Sequence, residues 1–289
     1  MAKHALRVLY APLFFGGFLV AGGVASDAGA APWPLLPLLV AAIAVSFAAE
    51  RWIPYEPAFN RDHGDTGRDL AHAAVNETAN AASVLALPAV AAALPVSGAW
   101  PAHWPLPLQL ALAVGVADLG ITLAHYASHR AQVLWRFHAV HHSVSRMYGF
   151  NGLMKHPLHQ AFELLCGTAP LVLLGLPQPL AWLLAFAVAL QLLLQHANVD
   201  LRPGPLLRVW AVAPLHRFHH LNRAALGDVN FGLFTTLGDR LLGTLHYEPG
   251  RRFGPGELGI EGRPDYPTRY RDQLLEPFRA PSGSARAIT

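Results

Sequence analysis

Charge is the scarcest commodity in this chain. Only 13% of its 289 residues are Asp, Glu, Lys or Arg, against 53% hydrophobic, and soluble domains usually carry about 25%. The deficit is concentrated. Residues 8–26, 28–49, 78–117 and 164–197 contain none of the four charged types, and runs of this length belong in a bilayer. Cysteine is nearly absent as well. The single Cys166 excludes any intramolecular disulfide and, inside an apolar run, reads as a small buried hydrophobe. Dense basic runs are missing too. The 21 Lys and Arg, with a formal charge of +3 and a pI of about 9.2, are scattered without interleaved aromatics, which excludes nucleic acid as a partner. They suit a membrane surface better. Repeats, low-complexity tracts and independent soluble domains are also lacking.

A spanning helix needs about 20 apolar residues, so 8–26 and 28–49 predict a hairpin of two spans. Pro95, Pro101, Pro105 and Pro107 divide 78–117 into two further passes. In 164–197, Pro177 and Pro179 leave pieces of roughly 13 and 16 residues, ~20 to 24 Å long, short of a ~30 Å hydrocarbon core. They predict a short re-entrant or tilted hairpin. The expected fold is therefore all-α: about four transmembrane helices, that hairpin, and a cytoplasmic helical cap. The expected divisions are an N-terminal transmembrane hairpin with its linker (1–69), the central domain (70–247) and a C-terminal cytoplasmic tail (248–289). Lys3, Arg7, Arg51, Arg61 and Arg68 flank the spans and the other basic residues follow residue 129. The positive-inside rule then places both termini and the polar segments on the cytoplasmic side, in a bacterial inner membrane or the endoplasmic reticulum. Reading the N-terminus instead as a cleaved signal peptide, with small residues near 25–31, would leave an odd number of spans.

Histidine is what the chain has in abundance, 16 in all. Eight stand in three clusters: His125 and His129; His138, His141 and His142; His216, His219 and His220. Spacings of three and four put each cluster on one helical face. A catalytic zinc takes three protein ligands and a structural one four, so eight imidazoles are shared more naturally by two ions. His196, in Gln195-His196-Ala197-Asn198, returns to the same surface as a ninth candidate. Asp118 lies 7 and 11 residues before His125 and His129, within about 20° of their face at 100° per residue, yet about 10 Å up the axis. It suits a supporting or channel position. His72, Asn76 and Asn80, with Glu77 and Ser83, form a second polar stripe. Asn198, Asp228, Asn230 and Asp239 are placed to fix the outer ring nitrogens of ligating histidines. His156 and His159 are further, weaker candidates.

The order His-x3-His, His-x2-His-His, His-x2-His-His, with His196-Ala197-Asn198 before the last box and Asp228-x-Asn230-Phe231-Gly232 and Asp239-Arg240-x-x-Gly243-Thr244 after it, resembles the sterol desaturase / fatty acid hydroxylase superfamily over roughly residues 70–247. The resemblance implies an integral membrane di-iron oxygenase. It implies that His125, His129, His138, His141, His142, His196, His216, His219 and His220 bind two iron ions, with O2 as co-substrate and a membrane lipid, sterol or fatty acyl, as substrate. Hydroxylation is the expected outcome and desaturation the alternative. Three positions depart from the family pattern: Asp200 where some hydroxylases have a tenth histidine, Lys155 for the usual arginine before His-Pro, and Gly238 for the usual tryptophan.

Imidazole suits iron, zinc, copper and nickel alike, so zinc in a purified sample is compatible with the ligand type. Two other readings follow from a histidine-rich membrane chain: a metal transporter, whose ligands belong near the midplane on broken helices, and a zinc-dependent membrane hydrolase. No cytochrome b5-like haem domain or flavin-binding motif is visible. Electrons are therefore expected from a separate ferredoxin, cytochrome b5-like protein or reductase, docking on Arg130, Arg136, Arg202, Arg208, Arg217 and Arg223. Attraction of these arginines to anionic lipid head groups is the competing explanation. Oligomeric state leaves no mark in the sequence.

Overall fold

A computed structural model describes residues 2–27, 32–95 and 97–279. Residues 28–31, between the first two expected spans, and the last ten residues of the expected tail lie outside these. The helices are α1 Ala2–Asp27, α2 Leu35–Trp52, α3 Thr66–Ala93, α4 Leu106–Arg130, α5 Gln132–His142, α6 Pro157–Leu174 and α7 Gln178–Gln195. Shorter ones follow: α8 Ala213–His219, α9 Ala224–Gly227, α10 Leu237–Leu242 and α11 Tyr270–Leu275. The described residues contain no β-strand, only three isolated bridges. The fold is all-α.

Among the described residues, four helices are long and apolar enough to cross a membrane: Lys3–Ser26, Leu35–Trp52, Leu106–Arg130 and Gln178–Gln195. The number agrees with the sequence reading, but α7 takes the place assigned to α3. Two physical reasons explain the exchange. The first turns of α3 carry Arg68, Asp69, His72 and Asn76, all buried, so only residues 84–93 are uniformly apolar. The prolines read as breakers are starters: Pro177 and Pro179 stand at the N-terminal edge of α7, where a missing N–H costs nothing. Gly175, at φ +92°, ends α6 in the left-handed region, which glycine adopts without strain. Both α6 and α7 are thus 18 residues long, about 27 Å, rather than the shorter pieces anticipated. α6 begins at Pro157, ahead of Glu163, whose charge had excluded its first turns from the apolar run.

α7 is the central helix, packed against α1, α2, α3 and α4, and Leu183, Leu190, Leu193 and Leu194 are fully buried in it. The outward faces of α1 and α2 expose Leu13, Val20, Val24, Leu36 and Val40, an apolar girdle that only lipid covers without cost. α4 lies against α6 at backbone contact. A Cβ on Gly120 would stand 2.2 Å from the Cys166 carbonyl oxygen, and one on Gly167 2.9 Å from Ile121 Cγ1. Small residues at such a crossing let helices approach closely in a bilayer. Cys166 is half-buried, and it is its backbone that abuts α4. After α7 the chain folds back over the histidine-bearing ends of α4 and α5. Phe253 packs edge-on against Phe218, and Gln273 Oε1 stands 2.9 Å from His72 Nε2.

Gly120→Val should force α4 and α6 apart, at the roughly 1 to 3 kcal/mol or more typical of overpacking. It should reduce the yield of monodisperse protein in detergent. Gly115→Val, on the same helix with open space around it, should behave like the unaltered chain in the same size-exclusion and thermal-melt measurements.

Candidate metal centre

Helix periodicity presents the rings, and helix ends bring them together. His125 and His129 are one turn apart in the last turns of α4, and His138, His141 and His142 end α5. His216 and His219 lie on α8, with His220 as its C-cap, and His196 caps the C-terminus of α7. The ligand-type nitrogens fall into two groups, each within 4.8 Å: His125, His129, His138, His142 and His219 in one, His141, His196, His216 and His220 in the other. The groups abut where the His142 and His220 rings stack, 4.8 Å between centroids.

Spacing within each group is that of ligands around an ion. His142 Nε2 is 3.1 Å from His129 Nε2 and 3.0 Å from His138 Nε2. His216 Nε2 is 3.1 Å from both His196 Nε2 and His220 Nε2, and His196 Nε2 is 3.4 Å from His141 Nε2. A neutral ring nitrogen offers one lone pair or one proton, so a nitrogen in contact with two others cannot satisfy both by hydrogen bonding. Two nitrogens each about 2.1 Å from one ion, at tetrahedral or right angles, stand about 3.0 to 3.4 Å apart. His125 Nε2 is buried and has no hydrogen-bond partner. The donor set fits a pair of transition-metal ions.

The outer nitrogens explain why Nε2 is the atom presented. Nδ1–H donates to the carbonyl of Phe231 from His125 (2.9 Å), of Met154 from His141 (3.0 Å) and of Val229 from His219 (2.8 Å). His129 Nδ1–H donates to Asp228 Oδ1 at 2.8 Å, and His196 Nδ1–H to the Leu192 carbonyl at 3.3 Å. A carbonyl only accepts, so the proton sits on Nδ1 and the Nε2 lone pair is left for a metal. Burial, reinforced by neighbouring imidazoles, holds His138, His141, His142, His216 and His220 well below the ordinary value of 6.5. Burial does the same for His196. These six rings are neutral near pH 7, as ligation requires.

Other sequence candidates support the site at one remove. Asp118 accepts from the backbone N–H of Leu233, Phe234 and Thr235; Asp239 accepts from those of Phe231 and Gly232. Together they pin the loop whose Phe231 carbonyl orients His125. Asn230, at φ +57°, bridges the Leu215 and His246 carbonyls. Asn198 touches no ring nitrogen. Its side chain bonds Glu56 and Asn60 and so fixes the linker after α2. His156 caps α6 and meets the Leu274 carbonyl. Asp200 pairs with Arg7 and Arg202, away from the rings. His159 forms a third group with His138 and Glu163 and stands 2.9 Å from Ser128 Oγ through Nε2. Gly238 has no room for a larger residue, since a Cβ would meet Thr122 Cγ2 at 2.6 Å.

Two aromatic rings were not singled out by the sequence. Phe231 packs within 5.4 Å of the His125, His129 and His219 rings. Trp135 lies 5.1 and 5.2 Å from those of His129 and His142. Phe231 belongs to the Asp228-x-Asn230-Phe231-Gly232 motif, whereas Trp135 has no sequence signal beyond its place between two histidine clusters.

The chain is all-helical, carries membrane-type helices and buries nine imidazoles in two abutting groups, each of which could hold a metal ion. Comparison with known proteins narrows the class. The family model for fatty acid hydroxylase matches residues 110–244. Ornithine lipid hydroxylase OlsE of Rhizobium tropici is 33% identical over 249 residues, covering 82% of this chain and 73% of that protein. Alkylglycerol monooxygenase of Danio rerio is 29% identical over 143 residues, 48% of this chain and 32% of that one. No solved structure matches. The chain belongs to the fatty acid hydroxylase family, a family of iron-dependent oxygenases acting on lipids.

Asp228→Ala should leave the fold intact and weaken metal binding about 10- to 100-fold, the usual cost of losing a carboxylate behind a ligating histidine, as read by metal titration. Acid has a defined effect on the metal-free protein. Its folded histidines stay neutral where the unfolded ones take up protons, so stability should fall as pH drops below about 6.5 and level off above it. Thermal melts across pH 5 to 8 check this.

Proposed function

We propose that the two histidine groups each hold an iron ion and that the chain hydroxylates a membrane lipid with O2. One observation carries the reading: nine imidazoles from four separate stretches of chain meet at ligand spacing where the membrane-type helices α4 and α7 end. Imidazole does not choose the metal. Family membership favours iron, and the iron pair would supply the two-electron oxidation of an unactivated C–H bond. In balance, one C–H bond and O2, with two electrons and two protons, give the alcohol and water. Hydroxylation is preferred to desaturation because the relatives are named hydroxylase and monooxygenase.

The chain's own residues have separate tasks. His129, held by Asp228, and His125, His141, His196 and His219, held by backbone carbonyls, present Nε2 in a fixed tautomer. The Phe231 and Trp135 rings pack against the imidazoles and brace them on that flank. The catalytic unit is residues 70–247, with 1–69 as membrane hairpin and linker and 248–289 as an appended tail. The distribution of basic residues supports cytoplasmic termini and a cytoplasmic active site. Electrons come from a separate one-electron carrier. A transporter reading is disfavoured by ligands clustered at helix ends rather than on broken helices at the midplane.

His141→Ala or His219→Ala should abolish iron loading in the affected group and remove the +16 mass-unit lipid product, while the protein still partitions into membranes. Mass spectrometry of lipids from cells expressing each variant, alongside iron analysis of purified protein, measures both. Full turnover in either variant would overturn the assignment.

A further inference from the structure

A chamber of about 590 Å³ lies between α3, α4, α6 and α7, within the roughly 300 to 1,000 Å³ of small-molecule sites. Its lining changes character from one end to the other. At one end stand Glu77, Asn80, Lys155, Gln160 and Glu163; toward the other the walls are Leu87, Leu94, Val172, Leu173, Leu176 and Leu184. Glu77 and Leu94 lie 17 residues apart in sequence and bracket this face of the chain, about 25 Å at helical rise.

The polar end holds a hydrogen-bonded trio and, beside it, an ion pair. Asn80 Nδ2 donates to Glu77 Oε1 and Gln160 Nε2 to Asn80 Oδ1, both at 3.2 Å, and Lys155 Nζ is ion-paired with Glu163. This end abuts the histidines. Chamber-lining Leu192 supplies the carbonyl that holds His196, and Ile121 lies one turn before His125. Lys155 follows Met154, whose carbonyl holds His141. At the other end Val90, Leu94 and Leu173 line the chamber and are exposed, as an opening toward the surrounding hydrocarbon at that end requires.

We propose that the chamber holds its lipid lengthwise, with the acyl chain along Leu87, Leu94 and Leu173 and the polar group among Glu77, Asn80, Gln160 and Lys155. The inference rests on the lipid-hydroxylase reading and adds the regiochemistry: oxygen enters within the first few bonds of the polar group, not toward the methyl terminus. The reverse orientation would set methylenes against a buried ion pair and strand the polar group in hydrocarbon, and both are unfavourable. Lys155 is committed to Glu163, while Glu77 has no ion-pair partner among the described residues. The polar end therefore favours a polar group that donates hydrogen bonds, such as an ammonium, amide or hydroxyl. The C–H bond nearest the histidines breaks and a C–O bond forms. The second oxygen atom of O2 leaves as water with two protons and two electrons, which the one-electron carrier delivers in two successive transfers.

Two photoreactive hexadecylamines test the orientation, one with its diazirine near the amine and one near the methyl end. Each is added to the full chain in lipid nanodiscs and the labelled peptides are mapped by mass spectrometry. The methyl-end probe should label 87–94 and 172–184, the amine-end probe 77–80 and 155–163, and excess hexadecylamine should suppress both. Glu77→Gln, nearly isosteric, should lower amine-probe labelling roughly tenfold, about 1.4 kcal/mol, without altering the melting behaviour. Leu173→Trp, at the partly exposed apolar end, should lower labelling by the methyl-end probe. Reversed labelling, identical labelling by both probes, or no competition would overturn the proposal. The labelling needs no metal or turnover, so a protein without iron or hydroxylase activity would defeat the functional reading and leave this result readable.

Discussion

A ring nitrogen buried among other ring nitrogens has either one proton or one lone pair to offer, and most of these imidazoles are packed three or more together. Burying polar groups without full satisfaction costs free energy, so the packed rings are costly by themselves. An ion that accepts several lone pairs at once offsets that cost, and the 3.0 to 3.4 Å contacts between Nε2 atoms are the spacing it requires. The rest of the architecture can be understood as what holds uncomfortable rings in that arrangement.

Backbone carbonyls and carboxylates do most of the holding. Asp118, within α4, and Asp239, on α10, fasten the loop from Phe231 to Thr235 from two sides, and that loop supplies the carbonyl behind His125. The backbone contact of α4 with α6 through Gly120 and Gly167 sets the base from which His125 and His129 project. Gly152 works the same way beside His196, where a Cβ would fall 2.8 Å from Nδ1. Ring geometry is thus built from close backbone approaches that a side chain at any of these glycines would disturb.

Much of this was legible in the sequence, for reasons that separate cleanly. The three clusters announced themselves because i, i+3 and i+4 spacing has one structural meaning on a helix, and His196 through its place after an apolar run. The bilayer setting followed from the absence of charge. What stayed hidden depended on the backbone: Phe231, Met154, Val229 and Leu192 orient rings through carbonyls that every residue possesses. One of the four apolar spans was placed on α3 instead of α7, because a residue type carried two meanings. Pro177 and Pro179 read as breakers but begin α7, and Glu163 read as the edge of an apolar run but is neutralised by Lys155 inside α6. Asn198 was placed beside the rings by sequence proximity to His196, whereas the chain turns there and sends its side chain to the linker after α2.

X-ray absorption at the iron edge, combined with metal quantification on purified protein from iron-replete cells, addresses the central claim most directly. The account predicts two iron ions per chain, each with a nitrogen shell at about 2.1 Å and the outer scattering of imidazole rings. A single ion per chain, none, or a shell lacking imidazole scattering would contradict it.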